Sequence, residues 1–421
     1  MRNANDPLLK SWVKVPEDSD FPIQNLPFGI FKTNELNPRA GIPVGDYILD
    51  LEVLLEHSFF NSLKTDVKNT FNQPFLNPLL AKGRLALSEV RNRISELLDI
   101  NNSELQNRPD LIEKVLISKN RIQELKPIDS KNYTDFYSSE QHARNVGSMF
   151  RDPDNALLPN WKSLPVAYHG RTSSIVGTNV PIKRPKGQFK SKDGSIGFGL
   201  SQKLDFEFEM AFITCSNTEL GEPIDTNLAE NHIAGLLMFN DWSARDIQAW
   251  EYQPLGPFLG KNFASSISPW LVTLDALEPF RIEGPKQKTE PLDYLKFQKP
   301  SHFDVQLEVI LRSGSSETLI TKGNYKNLYW NICQQLAHHT VNGCNIQVGD
   351  IYASGTISGK EPDSYGSMLE LSWNGEKPVV LNDGSERTFL EDGDEIIFKA
   401  YAEQEGIRIG FGELRNRAIS N

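Results

Sequence analysis

The segment KLDFEFEMAF, residues 203–212, constrains the fold of this chain more than any other. Successive side chains of a strand point to opposite faces. Asp205, Glu207 and Glu209 therefore share one face, and Phe206, Phe208 and Met210 share the other. Alternating charge usually marks a solvated edge strand. Here Ala211, Phe212 and Ile213 follow, the texture of a strand inside a sheet. Acids stacked on one face of an interior strand are costly unless a cation lies among them. The spacing points to a metal centre and leaves the three acids as equal candidates.

Two further segments concentrate polar chemistry. In LLMFNDWSARDIQAWEY, residues 236–252, an apolar run ends at Asn240–Asp241. Arg245 and Gln248 follow three apart, so a helical turn would aim both at one point. Asp241 as a simple helix cap is the plainer alternative. In YTDFYSSEQHARNVGSMFR, residues 133–151, Asp135, Tyr137 and His142 lie close together, leading into a helix expected over about 139–149. Carboxylate oxygens without sulfur or imidazole donors select a hard cation, Ca²⁺ or Mg²⁺, over zinc. His338 and His339 are neighbours on an expected helix, where adjacent residues face apart, and they read as structural.

The texture of the chain changes near 120–128. Residues 1–60 read as short strands and turns, among them LPFGIFKT and GDYILDLEVLL. Leu85, Leu87, Val90, Ile94, Leu97 and Leu98 then recur at helical spacing, and a second amphipathic helix is expected from Leu111 to Leu125, stopped by Lys126–Pro127. Beyond it the chain is mostly strand and loop, with turn signals at 185–187, 192–194, 382–384 and 392–394 and helices expected at about 227–238 and 325–341. The expected division is residues 1–125, a small domain with a helical linker, and 126–421, the larger domain that carries the chemistry.

Gross properties narrow the function. The 421 residues carry a net charge of −11, against nucleic acid or an anionic membrane surface as the main partner. Three cysteines without CxxC spacing give neither a disulfide framework nor a zinc knuckle. No stretch approaches the roughly 18 apolar residues of a membrane span. A reducing cytosol is the expected compartment.

These segments, together with HGRTSSIVG (169–177), PLGPFLGKNF (254–263), HHTVNGCNIQVGD (338–350) and ASGTISGKEPDSYGSMLELSW (353–373), closely resemble the fumarylacetoacetase family. The resemblance spans essentially the whole chain and is densest from 133 to 421. It implies a mainly β fold with some helix: a small N-terminal SH3-like barrel domain and a large C-terminal mixed β-roll that forms homodimers. It assigns the metal to Asp135, Glu207, Glu209 and Asp241, with Lys261 and Ser265 beside it, and sets Asp205 aside. It implies a general base at His142 oriented by Glu370, an oxyanion cradle of Arg245, Gln248 and Lys261, and substrate contacts at Tyr137, Arg151, Tyr168, Tyr252 and Thr356. The chain departs from the family at Ser265, where Thr is common; the hydroxyl is kept. Lys360–Glu361 is a second, minor departure.

The implied reaction is hydrolysis of a carbon–carbon bond in a β-diketo acid, a small-molecule substrate, yielding fumarate and acetoacetate. An acylpyruvate hydrolase or oxaloacetate decarboxylase of the same superfamily is the alternative. A Ca²⁺-stabilised binding protein would leave His142, Glu370, Arg245, Gln248 and Lys261 without a purpose.

Overall fold

The structure, a computed structural model, describes residues 4–421 and is mainly β with helices packed around the sheets. The main path of the largest sheet begins with Leu116–Ser118, Tyr47–Asp50, Arg39–Val44 and Phe28–Lys32. It continues through Trp270–Thr273, Ile233–Asn240, Phe208–Thr214, Ile351–Ala353, Tyr133–Phe136 and Ala167–His169. The N-terminal meander thus joins the rest of the sheet directly, through the antiparallel pairs Phe28 with Leu271 and Gly29 with Trp270.

The acidic strand shows why this sheet forms. Every residue of Phe208–Thr214 is buried, and its alternate side chains feed two different cores. Phe208, Met210 and Phe212 pack with Leu307, Val309, Phe398 and Leu414. The Phe208 and Phe398 rings stack with centroids 4.0 Å apart. Ala211 and Ile213 pack on the other face, in the core that holds Leu87, Val90, Ile94 and Leu97 of the N-terminal segment. A smaller sheet, running Ser316–Asn324, Gln306–Ser313, Glu395–Gln404, Ile407–Ile419 and Ile182–Lys183, supplies the first of these cores. The central strands therefore lie between two apolar layers, and polar side chains collect at their ends.

Four expectations need correction. The helix expected over 227–238 is a short 3₁₀ turn, Ala229–His232, followed by the strand Ile233–Asn240. All eight residues of that strand are buried, and a run covered on both faces shows no alternation to tell it from a buried helix. The helix expected from Leu111 to Leu125 is Pro109–Val115, giving way to strands Leu116–Ser118 and Gln123–Leu125. Ile332–Thr340 starts later than expected, because Asn331 caps it in a reciprocal box with Gln334. GDYILDLEVLL splits into the strand Tyr47–Asp50 and the helix Leu51–Glu56, capped by Asp50. The helix Gly83–Leu98 lies where the periodicity placed it, and Glu140–Phe150 matches the helix expected over about 139–149. Among the described residues no helix is long and apolar enough to cross a membrane.

Candidate active site

Three carboxylates converge at the end of the central strands. Asp135 comes from Tyr133–Phe136, Glu209 from Phe208–Thr214, and Asp241 directly follows Ile233–Asn240. All three are buried, and each offers an oxygen within 4.8 Å of the other two. Burial, then mutual repulsion, raises the Asp135 and Glu209 carboxyls well above the ordinary carboxylate range. The Tyr133 hydroxyl donates to Asp135 Oδ2 at 2.7 Å, and Ser265 Oγ donates to Asp241 Oδ1 at 3.0 Å. The Tyr168 hydroxyl lies 2.6 Å from Asp241 Oδ2 and 3.2 Å from Asp135 Oδ2. Asp135 Oδ1 and Glu209 Oε1 are buried with no hydrogen-bond partner. Two unsatisfied carboxylate oxygens facing a third carboxylate suit a divalent cation, which would supply the missing partner and offset the repulsion.

Glu207 stands beside this group, joined to it by a cation. Its Oε1 lies 2.7 Å from Arg245 Nη1, and its Oε2 lies 2.5 Å from Lys261 Nζ. Lys261 also reaches Asp241 Oδ2 at 2.8 Å. Burial would raise the Glu207 carboxyl, but Lys261, Arg245 and His142 pull it far below its usual range. Asp205 serves elsewhere: it accepts from Arg245 Nε at 2.7 Å and from the backbone N–H of Met368 and Leu369 at 2.7 and 3.0 Å. It thereby ties Arg245 to the short helix Met368–Leu371. Arg245 and Gln248 share one turn of the helix Arg245–Glu251, 3.3 Å apart. Arg245 Nη2 remains buried without a partner. Asp241 does not cap that helix; Ala244 stands at the cap position, with no side-chain bond.

A buried imidazole–carboxylate pair completes the polar centre. His142 enters on the helix Glu140–Phe150, whose cap Ser139 accepts from the His142 N–H. His142 Nδ1 lies 2.7 Å from Glu370 Oε2. The same oxygen accepts from Ser358 Oγ and Ser367 Oγ, each at 2.9 Å, and Glu370 Oε1 accepts from Asn145 Nδ2 at 2.8 Å. Gln141 Nε2 donates to Asn145 Oδ1 at 2.8 Å, which turns the Asn145 amide nitrogen toward Glu370. Burial acts to raise Glu370, but His142 and these donors more than offset it, so the carboxyl stays below its ordinary value. The Tyr137 ring meets the imidazole edge-on, with centroids 5.2 Å apart.

Residues 131–419 match the fumarylacetoacetate (FAA) hydrolase C-terminal family, and residues 24–127 match the fumarylacetoacetase N-terminal family. The chain belongs to the fumarylacetoacetate hydrolase family. Among its relatives, the fumarylacetoacetase of Arabidopsis thaliana is 50% identical, covering 98% of this chain and 99% of its own. The fumarylacetoacetase of Homo sapiens is 48% identical, covering 97% and 98%. A solved structure, fumarylacetoacetate hydrolase from the psychrophile Exiguobacterium antarcticum, shares the fold. It is 17% identical with a TM-score of 0.52, and the match covers 94% of this chain and 100% of that one.

The remaining expected residues of this fumarylacetoacetate hydrolase family member spread outward from the centre. Thr356 is buried, with its hydroxyl unpartnered. Arg151 is exposed at the end of the His142 helix, its Nη2 donating to the Ala156 carbonyl at 2.6 Å. Tyr252 is exposed, accepting from Gln253 Nε2 at 3.0 Å. Sequence reasoning missed Tyr133, Asn145, Ser358 and Ser367. Asn145 left a signal, three residues beyond His142 on the same helical face, as did Tyr133, two residues before Asp135 on one strand.

Proposed function

We propose that this chain hydrolyses the carbon–carbon bond of 4-fumarylacetoacetate, releasing fumarate and acetoacetate, the last step of tyrosine and phenylalanine breakdown. The observation that carries this reading is the His142–Glu370 pair at 2.7 Å, held in one buried centre with the partnerless oxygens of Asp135 and Glu209. A hydrolase needs a base for water, and the cleavage needs help for a carbanion leaving group.

Glu370 accepts the Nδ1 proton of His142, leaving Nε2 free to take a proton from the attacking water. The positive imidazolium that results is stabilised by the Glu370 charge. Water adds to the carbonyl next to the scissile bond, and its oxyanion is received by Arg245 Nη2, Gln248 and Lys261. Each such donor contributes typically about 3 kcal/mol to the transition state. Collapse breaks the carbon–carbon bond, and the proton on His142 goes to the departing acetoacetate carbon. A divalent cation held by Asp135, Glu209 and Asp241 would supply Lewis acidity that stabilises the enolate leaving group.

Ca²⁺ or Mg²⁺ is held, in this reading, by Asp135, Glu209 and Asp241, with Glu207 as fourth carboxylate and Lys261 and Ser265 at the edge. Each Glu207 oxygen keeps a second lone pair beside its cation. Tyr137, Arg151, Tyr168, Tyr252 and Thr356 line the substrate, and Arg151 answers its terminal carboxylate. The working form is a homodimer in the cytosol, each chain divided near residues 125–126.

The test follows the loss of fumarylacetoacetate absorbance by the purified protein, with and without a chelator. Oxaloacetate and acylpyruvates are run in parallel. Faster turnover of either alternative, or chelator-insensitive turnover, would overturn the proposal.

A further inference from the structure

The strands Tyr133–Phe136 and Ala167–His169 pair antiparallel, Thr134 with His169 and Asp135 with Tyr168. Neighbouring residues of a strand serve opposite faces. Asp135 and the Tyr168 hydroxyl belong to the carboxylate centre. Thr134 and His169 line a cavity of about 290 Å³ that also takes in His338, His339 and Cys344 and reaches part of Tyr168.

The three histidines share one arrangement. His169 Nδ1 lies 3.3 Å from Thr134 Oγ1, His338 Nδ1 lies 3.0 Å from the Tyr294 hydroxyl, and His339 Nδ1 lies 3.3 Å from the Tyr352 hydroxyl. In the Nδ1–H tautomer each hydroxyl oxygen accepts from the ring and Nε2 keeps its lone pair, the orientation that metal-binding histidines require. Among the described residues no protein group hydrogen-bonds any of the three Nε2 atoms. The His169 and His339 rings lie edge to face with centroids 6.0 Å apart. One ion bonded at about 2.0–2.1 Å to both Nε2 atoms would set the centroids roughly 5–6 Å apart. Burial and the two neighbouring imidazoles push His339 down to about 4, so the ring is neutral near pH 7. Cys344, a free and half-buried thiol, offers a soft donor on the same wall.

We propose that this cavity is a second cation site, separate from the acidic centre, which takes a borderline-soft divalent ion such as Zn²⁺ through Nε2 of His169 and His339. Imidazole and thiol donors favour such an ion, whereas the all-oxygen centre favours Ca²⁺ or Mg²⁺. The same sheet thus sorts hard from soft cations by which face of two adjacent strands they meet.

The experiment uses the full chain with its acidic centre saturated by Mg²⁺ and titrates Co²⁺ as a visible reporter, followed by Zn²⁺. Four-coordinate Co²⁺ on nitrogen or sulfur absorbs strongly, whereas six-coordinate Co²⁺ on oxygen absorbs weakly. The expected result is one equivalent of strongly absorbing Co²⁺, discharged by Zn²⁺. Its affinity should fall at least ~10-fold in His169→Ala and in His339→Ala, and hold in Asp241→Asn. The isosteric His169→Gln and His339→Gln carry the same expectation should an alanine variant fail to fold. Absence of the strong absorption overturns the proposal, as does its loss in Asp241→Asn or its survival undiminished in the folded histidine variants.

Discussion

Replacing Glu370 by Gln separates two tasks that the carboxylate performs. The amide keeps the shape, and its oxygen can still accept from His142 Nδ1, Ser358 Oγ and Ser367 Oγ. Its NH₂ then faces Asn145, which must reverse its own amide and give up the bond from Gln141. That exchange costs the fold about 1 kcal/mol. What disappears outright is the charge. With Nδ1 and Oε2 2.7 Å apart, the charge centres of an imidazolium and carboxylate lie about 4 Å apart, worth about 4 kcal/mol at an effective dielectric of about 20. If the imidazolium forms during water attack, kcat should fall by roughly 10³-fold. The assay is the absorbance loss of fumarylacetoacetate at saturating substrate and cation, with circular dichroism to verify folding. A folded Glu370→Gln protein within about tenfold of the parent refutes the argument, because the carboxylate would then only orient the ring.

Three other outcomes follow from the geometry. Ca²⁺ or Mg²⁺ at about 100 times its dissociation constant should stabilise the protein by about 2.7 kcal/mol, while Asp241→Asn should show no cation-dependent rise in the thermal midpoint. A Cβ added at Gly170 would lie 2.1 Å from the Tyr133 ring, so Gly170→Ala should cost about 1–3 kcal/mol of stability and lower kcat by shifting the Tyr133 hydroxyl from Asp135; an unchanged denaturation midpoint and rate would count against that packing. His302 is buried with Nε2 on the Leu328 carbonyl and Nδ1 unpartnered, and burial pushes it down to about 4. The unfolded chain therefore binds the extra proton between about pH 6.5 and 4, and stability falls as pH drops through that window. Between pH 7.5 and 5 this histidine should account for about 2 kcal/mol, measured as the part of the urea-unfolding pH dependence that His302→Gln removes.

Much of the site was legible because it rests on short-range rules. Residues 203–212 form two strands, Leu204–Asp205 and Phe208–Thr214, rather than the single strand expected, yet Phe206, Phe208 and Met210 share one core as the alternation placed them. A helical turn after Asp241 does join Arg245 to Gln248. Alternation could not rank the three acids, since partners distant in sequence decide their surroundings. Asp205 is engaged by backbone N–H groups more than 160 residues away, and Glu207 by Arg245 and Lys261. The strand Ile233–Asn240 was misread because burial on both faces erases the period that distinguishes strand from helix. Ser358 and Ser367 were invisible as supports of Glu370, for a serine gains that meaning only when the loop that carries it is folded.

The pairing of Phe28 and Gly29 with Leu271 and Trp270 has a consequence for how the protein is made. Ile30, Phe31 and Lys32 find their partners on the same edge at Leu125, Glu124 and Gln123, so that half of the edge closes early. The other half waits for residues about 240 positions downstream. At a synthesis rate of about 5–20 residues per second, the delay is roughly 12–50 s. Throughout it, a nascent chain carries an open strand edge of the kind that recruits foreign strands. Gly29 keeps this edge specific: any side chain there would strike the Trp270 ring, 2.3 Å from where its Cβ would stand. This stretch of the edge is therefore keyed to an indole that emerges about 240 residues after the strand it completes.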